Sequence, residues 1–297
     1  MLASAALLLL RPAALTRAWS GDMAADWVSA EIEDTRALGW ADMDSDGDSD
    51  LATGNWGQPL RVYRNAGGAL ALVWSSPETG NTTSLAWGDT NGDTLPDLAV
   101  GNREQPNRIY RNNGDGVFTL VWESAGSDRT TSLAWADWDA DGDLDLAVGT
   151  FGQPNRIYRN NGNGTFALVW SSTETDNTNS IAWRDFDNDG DPDLAVGNHN
   201  APARLYRNAG GNLTLFWSSP ESSSAAAAIA WADWDGDGLP DLLVGNYGSP
   251  NRLYVNDGAT LTLAWTSAES DSTTSLAWGY WDGDGLPDLA VGNEYAP

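Results

Sequence analysis

Apolar runs of four to six residues recur along the whole chain, each closed by Gly, Asn, Asp or Pro, and none sustains a helical period. One stretch shows the pattern. Ser132-Leu133-Ala134-Trp135 is followed by Asp145-Leu146-Ala147-Val148-Gly149, then by Asn155-Arg156-Ile157-Tyr158-Arg159-Asn160, then by Thr165-Phe166-Ala167-Leu168-Val169-Trp170. Runs of this length, rich in Val, Ile, Leu and aromatic residues, predict strands. Asn161-Gly162-Asn163-Gly164 between the last two predicts a hairpin turn. The block repeats every 47 or 48 residues. Four strands per unit at that period predict an all-β fold, a β-propeller of four-stranded blades. Five units are complete, over 37–74, 84–122, 132–170, 180–217 and 228–265. A sixth shows only 275–278 and 288–293, so about six blades are visible, as in a fragment of a seven-bladed ring truncated at its C-terminal side. Residues 22–27 read as the fourth strand of a preceding unit.

Twelve of the 17 Trp fall at two repeat positions. One set is Trp40, Trp87, Trp135, Trp183, Trp231 and Trp278; the other is Trp27, Trp74, Trp122, Trp170, Trp217 and Trp265. Each ends an apolar run, which predicts packing between blades rather than a stacking belt for ligands.

Between the first and second strands of each unit runs Asp-x-Asp-x-Asp-Gly-x-x-Asp, starting at Asp42, Asp89, Asp137, Asp185, Asp233 and Tyr280. Carboxylates packed this densely raise one another's pKa unless a counter-charge is present. A hard divalent cation with six to eight oxygen ligands, usually Ca²⁺, answers that need. An EF-hand is excluded, because its bidentate Glu at position twelve is here Thr53, Val100, Val148, Val196, Val244 and Val291.

Composition narrows the picture. The formal charge is -27 with a pI near 4.1, and most of the 42 acidic residues sit in or beside these loops. A chain without basic patches is not expected to bind nucleic acid. There is no Cys, hence neither disulfide nor thiolate metal site, and no apolar stretch long enough for a membrane helix. Residues 1–19, with the apolar run Leu2–Leu10, read as a signal-like or unstructured segment, and 20–297 as the propeller.

The phrase from Asp139 to Val148, with Asn155-Arg156-Ile157-Tyr158-Arg159-Asn160 after it, resembles the FG-GAP/VCBS repeat family, the calcium-loop propellers that include the integrin α-subunit head. The resemblance runs from Asp22 to the end. It implies four to six Ca²⁺, one per loop, and a secreted or cell-surface location of bacterial type. On that basis positions one, three, five and nine supply side-chain oxygens, position seven its backbone carbonyl, and Gly at six the turn. The implied ligands are Asp42, Asp44, Asp46, Asp48 and Asp50; Asp137, Asp139, Asp141, Asp143 and Asp145; Asp185, Asp187, Asp189, Asp191 and Asp193; and Asp233, Asp235, Asp237 and Asp241. Two loops depart from the pattern. Asp89, Asn91, Asp93 and Asp97 surround Thr94 where Gly is expected, and a β-branched residue resists positive φ, so this site is expected to be weaker or differently shaped. The sixth retains Asp282, Asp284 and Asp288 with Tyr280 at the first position.

A catalytic constellation is absent from the sequence: the single His, His199, has no repeat-defined acid beside it, and the chain is not read as an enzyme. The loop between second and third strands varies while the frame repeats, carrying Trp56, Arg103, Phe151, His199 and Tyr247. Chain direction puts it at the blade end opposite the acidic loops, where aromatic residues can anchor a protein or a sugar. Glu31, Glu78, Glu174, Glu221 and Glu269 fall at that end and read as solvated loop residues. The resulting expectation is a calcium-binding extracellular module for adhesion to protein or glycan, a monomer or part of a larger chain. The alternatives are a non-catalytic propeller in a polysaccharide-active enzyme, a lyase or hydrolase, and a purely structural segment of a surface protein.

Overall fold

A computed structural model describes residues 8–12, 23–221, 225–280 and 285–294, among which there is no helix. Contacts divide the chain into two compact units, one of residues up to Asp89 with Asp93–Ser127, the other of Thr90–Gly92 with Asp128 onward.

In the second unit three blades follow one another as antiparallel meanders. The first is Thr130–Ala136, Asp145–Thr150, Arg156–Asn160 and Phe166–Ser171. The next is Asn177–Arg184, Asp193–His199, Arg204–Arg207 and Thr214–Ser218. The third is Ala226–Ala232, Asp241–Asn246, Arg252–Asn256 and Leu261–Thr266. Ser272–Gly279 and Asp288–Glu294 then pair as a two-stranded partial blade. In the first unit the register continues through two corners, so Asp50–Asn65 and Leu70–Gly88 are long strands and the two blades form one six-stranded sheet. The corner pairs are Trp56 with Asn81, Gln58 with Gly80 and Pro59 with Thr79. Leu8–Pro12, inside the stretch read as signal-like or unstructured, is a strand paired antiparallel with Met23–Val28. The structure thus gives about five four-stranded blades and a partial one, consecutive in sequence, as the repeat predicts.

Second strands such as Asp145–Thr150 and Asp241–Asn246 are buried along their whole length. A strand covered on both faces needs no polar alternation, which is why this run reads as continuously apolar. The core lies between consecutive blades. Phe186, Ala195 and Leu205 of one pack with Ile229, Leu242, Val244 and Tyr254 of the next. Met43, Ala52 and Val62 meet Leu98, Val100 and Tyr110 in the same way. Full burial of each large apolar side chain contributes about 1.5–3 kcal/mol. Close approach requires glycine in the second strand: a Cβ on Gly197 would lie 2.9 Å from the Ile229 methyl, and one on Gly245 2.9 Å from that of Thr273.

The fourth-strand Trp packs against the third-strand Tyr of the following blade. Trp74 meets Tyr110 at 5.2 Å, Trp170 meets Tyr206 at 5.3 Å and Trp217 meets Tyr254 at 5.0 Å, all edge to face. Tyrosines at this repeat position donate hydrogen bonds to the repeat glutamates: Tyr63 to Glu31 at 3.0 Å, Tyr110 to Glu78 at 2.9 Å, Tyr206 to Glu174 at 2.8 Å and Tyr254 to Glu221 at 2.6 Å. Those four glutamates are therefore latches between successive repeats, which corrects the expectation of solvated residues. Burial pushes the Glu174 carboxyl up, but the Tyr206 hydroxyl and the Arg204 charge outweigh it and hold the group below its usual value.

Candidate functional site

The acidic loops share one geometry. The first carboxylate accepts two backbone N–H bonds across the turn: Asp137 from Asp141 at 3.1 Å and Gly142 at 3.0 Å, Asp185 from Asp189 at 3.1 Å and Gly190 at 2.9 Å. Asp42 does the same with Asp46 and Gly47, and Asp233 with Gly236 and Gly238. The fifth-position carboxylates turn back on the loop, Asp46, Asp141, Asp189 and Asp237 each accepting the N–H two residues on.

The ninth position is deepest. Asp50, Asp145, Asp193 and Asp241 are fully buried. One oxygen accepts the N–H of the second loop residue and the other that of the third-strand Asn, as at Asp193 from Phe186 at 2.9 Å and from Asn208 at 2.7 Å. Burial pushes the carboxyl of Asp145 up to about 6 and that of Asp193 up to about 7, against backbone N–H bonds that favour the ionised form. The cost of ionising these groups is the electrostatic problem a cation would relieve.

Positions one, three and nine converge. Asp42, Asp44 and Asp50; Asp137, Asp139 and Asp145; Asp185, Asp187 and Asp193; and Asp233, Asp235 and Asp241 each bring three carboxylate oxygens within 4.8 Å of one another. The Oδ1 atoms of Asp44, Asp139 and Asp187 are buried without a hydrogen-bond partner. A buried, unsatisfied carboxylate oxygen costs free energy unless something fills its coordination. The donor set is all oxygen, the chemistry of a hard divalent cation, so the residues fit the expected metal. Positions five are not part of these triads. At position seven the side chains of Asp48 and Asp191 accept the N–H of Gly67 at 2.8 Å and Gly210 at 2.7 Å, tying the loop to the hairpin above it. Asp143 approaches the corresponding Gly162 so closely that a Cβ there would sit 2.7 Å from its oxygen.

The loop at Asp89 folds like the others. Asp89 accepts bonds from Asp93 at 3.2 Å and Thr94 at 2.8 Å. Thr94 adopts φ 73, so the β-branched residue takes the left-handed turn rather than avoiding it, at a strain of about 1–2 kcal/mol. Asp89, Asp93 and Asp97 do not form a three-carboxylate cluster among the described residues, and Asn91 stands where the other loops place their third-position acid. Asp282 and Asp284 lie outside the described residues; Asp288 starts the final strand.

Three features of the site escape sequence reasoning. Position four is also left-handed, at Ser45, Ala140 and Asn188 with φ of 60, 58 and 57. The third-strand Arg leans over the loop: Arg207 lies 2.7 Å from Asp187 and 3.3 Å from Asp189, while Arg64 and Arg159 lie 3.9 Å from Asp44 and Asp139. In the blade of Asp233 the equivalent residue is Val255. The third-strand Asn also reaches back to the preceding loop, Asn112 donating to the Met43 carbonyl at 2.7 Å, Asn208 to Trp138 at 2.8 Å and Asn256 to Phe186 at 2.6 Å. The regular Tyr-Arg-Asn ending of the third strand, Tyr-Val-Asn at 254–256, was the available signal.

The variable-loop residues occupy one corner of their blades. Their backbone N–H groups are tied to the residue before the first strand, Trp56 to Asp34 at 2.8 Å, Phe151 to Arg129 at 2.9 Å and Tyr247 to Ala225 at 2.8 Å. Tyr247 is 42% exposed, Arg103 is exposed, and Trp56, Phe151 and His199 are half-buried. Arg36 and Arg103 each place a guanidinium 5.9 Å from the Trp56 ring, and Arg129 lies 4.8 Å from Phe151.

Among solved structures the chain is similar to BBS1N in complex with ARL6DN, at 16% identity over 88% of this chain and 77% of that one, with a TM-score of 0.62. It is also similar to Chaetomium thermophilum Sqt1 bound to the N-terminus of the ribosomal protein L10, at 15% identity over 86% and 68% with a TM-score of 0.64. At these identities the similarity establishes the propeller fold. Among curated proteins no significant match is found. No helix of the described residues is long and apolar enough to cross a membrane. The FG-GAP-like repeat matches over residues 42–100, 89–148, 137–196, 185–244 and 233–291, and the chain belongs to that family.

Proposed function

We propose that this protein is a calcium-stabilised propeller that acts outside the cell as a non-catalytic binding module for a protein or a glycan. The observation that supports it most is the buried, unpartnered Oδ1 of Asp44, Asp139 and Asp187, each within a triad of converging carboxylates. Positions one, three and nine would hold the ion, with remaining ligands from the loop backbone and water. The bound ion neutralises like charge and locks the turn, so its role is structural. Extracellular modules bind calcium at about 10⁻⁴–10⁻³ M, which suits a compartment where calcium is abundant. The acidic loops are thus occupied with holding the fold, and recognition falls to the varied second-to-third-strand loops. The similar structures support a binding role, since BBS1N is in complex with ARL6DN and Sqt1 is bound to the N-terminus of L10.

The test is binding of the labelled chain to glycan and extracellular-protein arrays, with calcium and with chelator, beside Phe151→Ala and Tyr247→Ala. A calcium-dependent signal weakened at least about fivefold by either variant supports the reading. A signal indifferent to chelator and to both variants contradicts it.

A further inference from the structure

The repeat is broken in one place by two cations and an indole. The residue after the first Thr of the first strand is Thr83, Thr131 and Asn179 in successive blades, each bonded to a nearby carbonyl, but in the first blade it is Arg36. In the same corner Trp56 takes the variable-loop position, and the next blade contributes Arg103. Arg36, Trp56, Thr83 and Arg103 together line a cavity of about 340 Å³ within the first compact unit. That volume falls at the small end of small-molecule sites, about 300–1,000 Å³.

The two arginines differ. Arg36 is held by Asp34, whose carboxylate accepts bonds from Nε at 2.8 Å and from a terminal nitrogen at 2.9 Å. Arg103 has no acidic partner among the described residues. Its guanidinium stands 5.9 Å from the Trp56 ring in the wall of the cavity. Trp56 is fixed: its N–H bonds to Asp34 and its backbone pairs with Asn81 across the corner. Beside Arg103, Glu104 holds φ of 60 at a corner where Gly57, Gly152 and Gly248 sit in three other blades and Asn200, with φ 59, in a further one. A non-glycine residue kept there at a cost of order 1 kcal/mol is the kind of strain that gathers at binding sites.

We infer that this corner binds a carboxylate-bearing sugar, a uronic acid residue of an acidic glycan. Arg103 takes the carboxylate as a planar two-pronged pair, the geometry a guanidinium favours. The indole of Trp56 offers a flat apolar plate to the C–H face of the pyranose. Arg36, already neutralised by Asp34, donates its remaining N–H groups to ring hydroxyls at the wall that Thr83 also lines. An acidic peptide would use the cation and leave the plate idle. A nucleotide would bring more negative charge toward a chain of -27. The inference rests on the proposed role of the variable loops in recognition.

The experiment is calorimetric titration of the calcium-saturated full chain with a β-1,4-linked glucuronic acid trimer, beside cellotriose, AMP and a glutamate-rich peptide. Arg103→Ala and Trp56→Ala are titrated in parallel, with thermal melts to show that both are folded. The trimer is expected to bind at least tenfold more tightly than the other three, and each variant to weaken it at least tenfold. Lack of binding by the trimer overturns the inference, as do equal binding of cellotriose, AMP or peptide and variants that leave the affinity unchanged. If the trimer fails while Phe151→Ala or Tyr247→Ala still abolishes an array signal, the assignment of this corner falls and the wider binding role stands.

Discussion

The loops of Asp185–Asp193 and Asp233–Asp241 follow the same nine-residue frame and converge the same three carboxylates, yet their surroundings differ. Below the first, Phe186 is buried at 1% exposure and its carbonyl accepts a bond from Asn256; the corresponding Trp234 is 41% exposed. Above the first, Arg207 lies 2.7 Å from Asp187, whereas Val255 occupies that place in the second. The Oδ1 of Asp187 is buried and unpartnered, while Asp235 is exposed. The motif sets the ligands, and the adjoining strands decide how the ion-free loop is held. One loop carries a built-in counter-charge beside its carboxylates, and the other has valine in that place.

The largest expected effect treats the two alike. Each site filled at 100 times its Kd adds about 2.7 kcal/mol. Four clustered triads would together shift Tm by more than about 15 °C at roughly 2–4 °C per kcal/mol. A melt in chelator against one in excess Ca²⁺ checks this, and a shift under a few degrees would remove the metal from the account.

Next come the buried ninth positions. Asp193→Ala and Asp241→Ala each strand two backbone N–H groups, at an expected cost of about 2–4 kcal/mol even with chelator present. Denaturant unfolding of both should show similar losses. A loss confined to the calcium-loaded protein would mean that these residues only bind metal.

Acidity separates the metal-free from the loaded chain. The carboxyls of Asp145 and Asp193 titrate at about 6 and 7 in the folded, ion-free protein, above the unfolded value near 4. The folded state therefore binds more protons in that window, and stability in chelator is full below about pH 4 on this account and declines as pH rises through 6–7. Calcium needs ionised ligands, so the loaded chain should move the other way, gaining stability from pH 5 to 7 at roughly constant free calcium. Parallel pH-dependent melts with the same slope would contradict the assignment.

The smallest effect bears directly on the difference between the loops. Arg207 is 44% exposed, so its pair with Asp187 is worth only about 0.2–1 kcal/mol. Arg207→Leu is expected to tighten the fourth loop for Ca²⁺ about two- to fivefold, and Val255→Arg to weaken the fifth by a similar factor. Calorimetry on each variant decides, and an unchanged pair of affinities would show that the arginine is only a lattice of surface charge around the site.

Much of this was legible in the sequence because the repeat multiplies each local signal. The Asp spacing marked positions one, three, five and nine, of which one, three and nine converge, and a continuous apolar run marked the second strand. What remained hidden depends on contacts between distant residues or on backbone shape that no residue type marks. The latch from Tyr63 to Glu31 spans 32 positions, and neither residue announces the other. Position four turns left-handed with Ser45, Ala140 and Asn188, side chains too unlike to form a pattern. Thr94 adopts the turn its side chain disfavours because Asp89 accepts its N–H and the rest of the loop fixes the path. The corner continuity that fuses the first two blades into one sheet arises from pairing around Trp56 and Pro59, a matter of register rather than composition.

The most direct test of the central claim is calorimetric titration of the chelator-stripped chain with Ca²⁺, repeated with Asp139→Asn and Asp187→Asn together. At least four sites are expected in the native chain, one for each converging triad, with two of them lost or weakened more than tenfold in the double variant. No heat of binding, or a stoichiometry unmoved by the two substitutions, would contradict the reading of these loops as calcium sites.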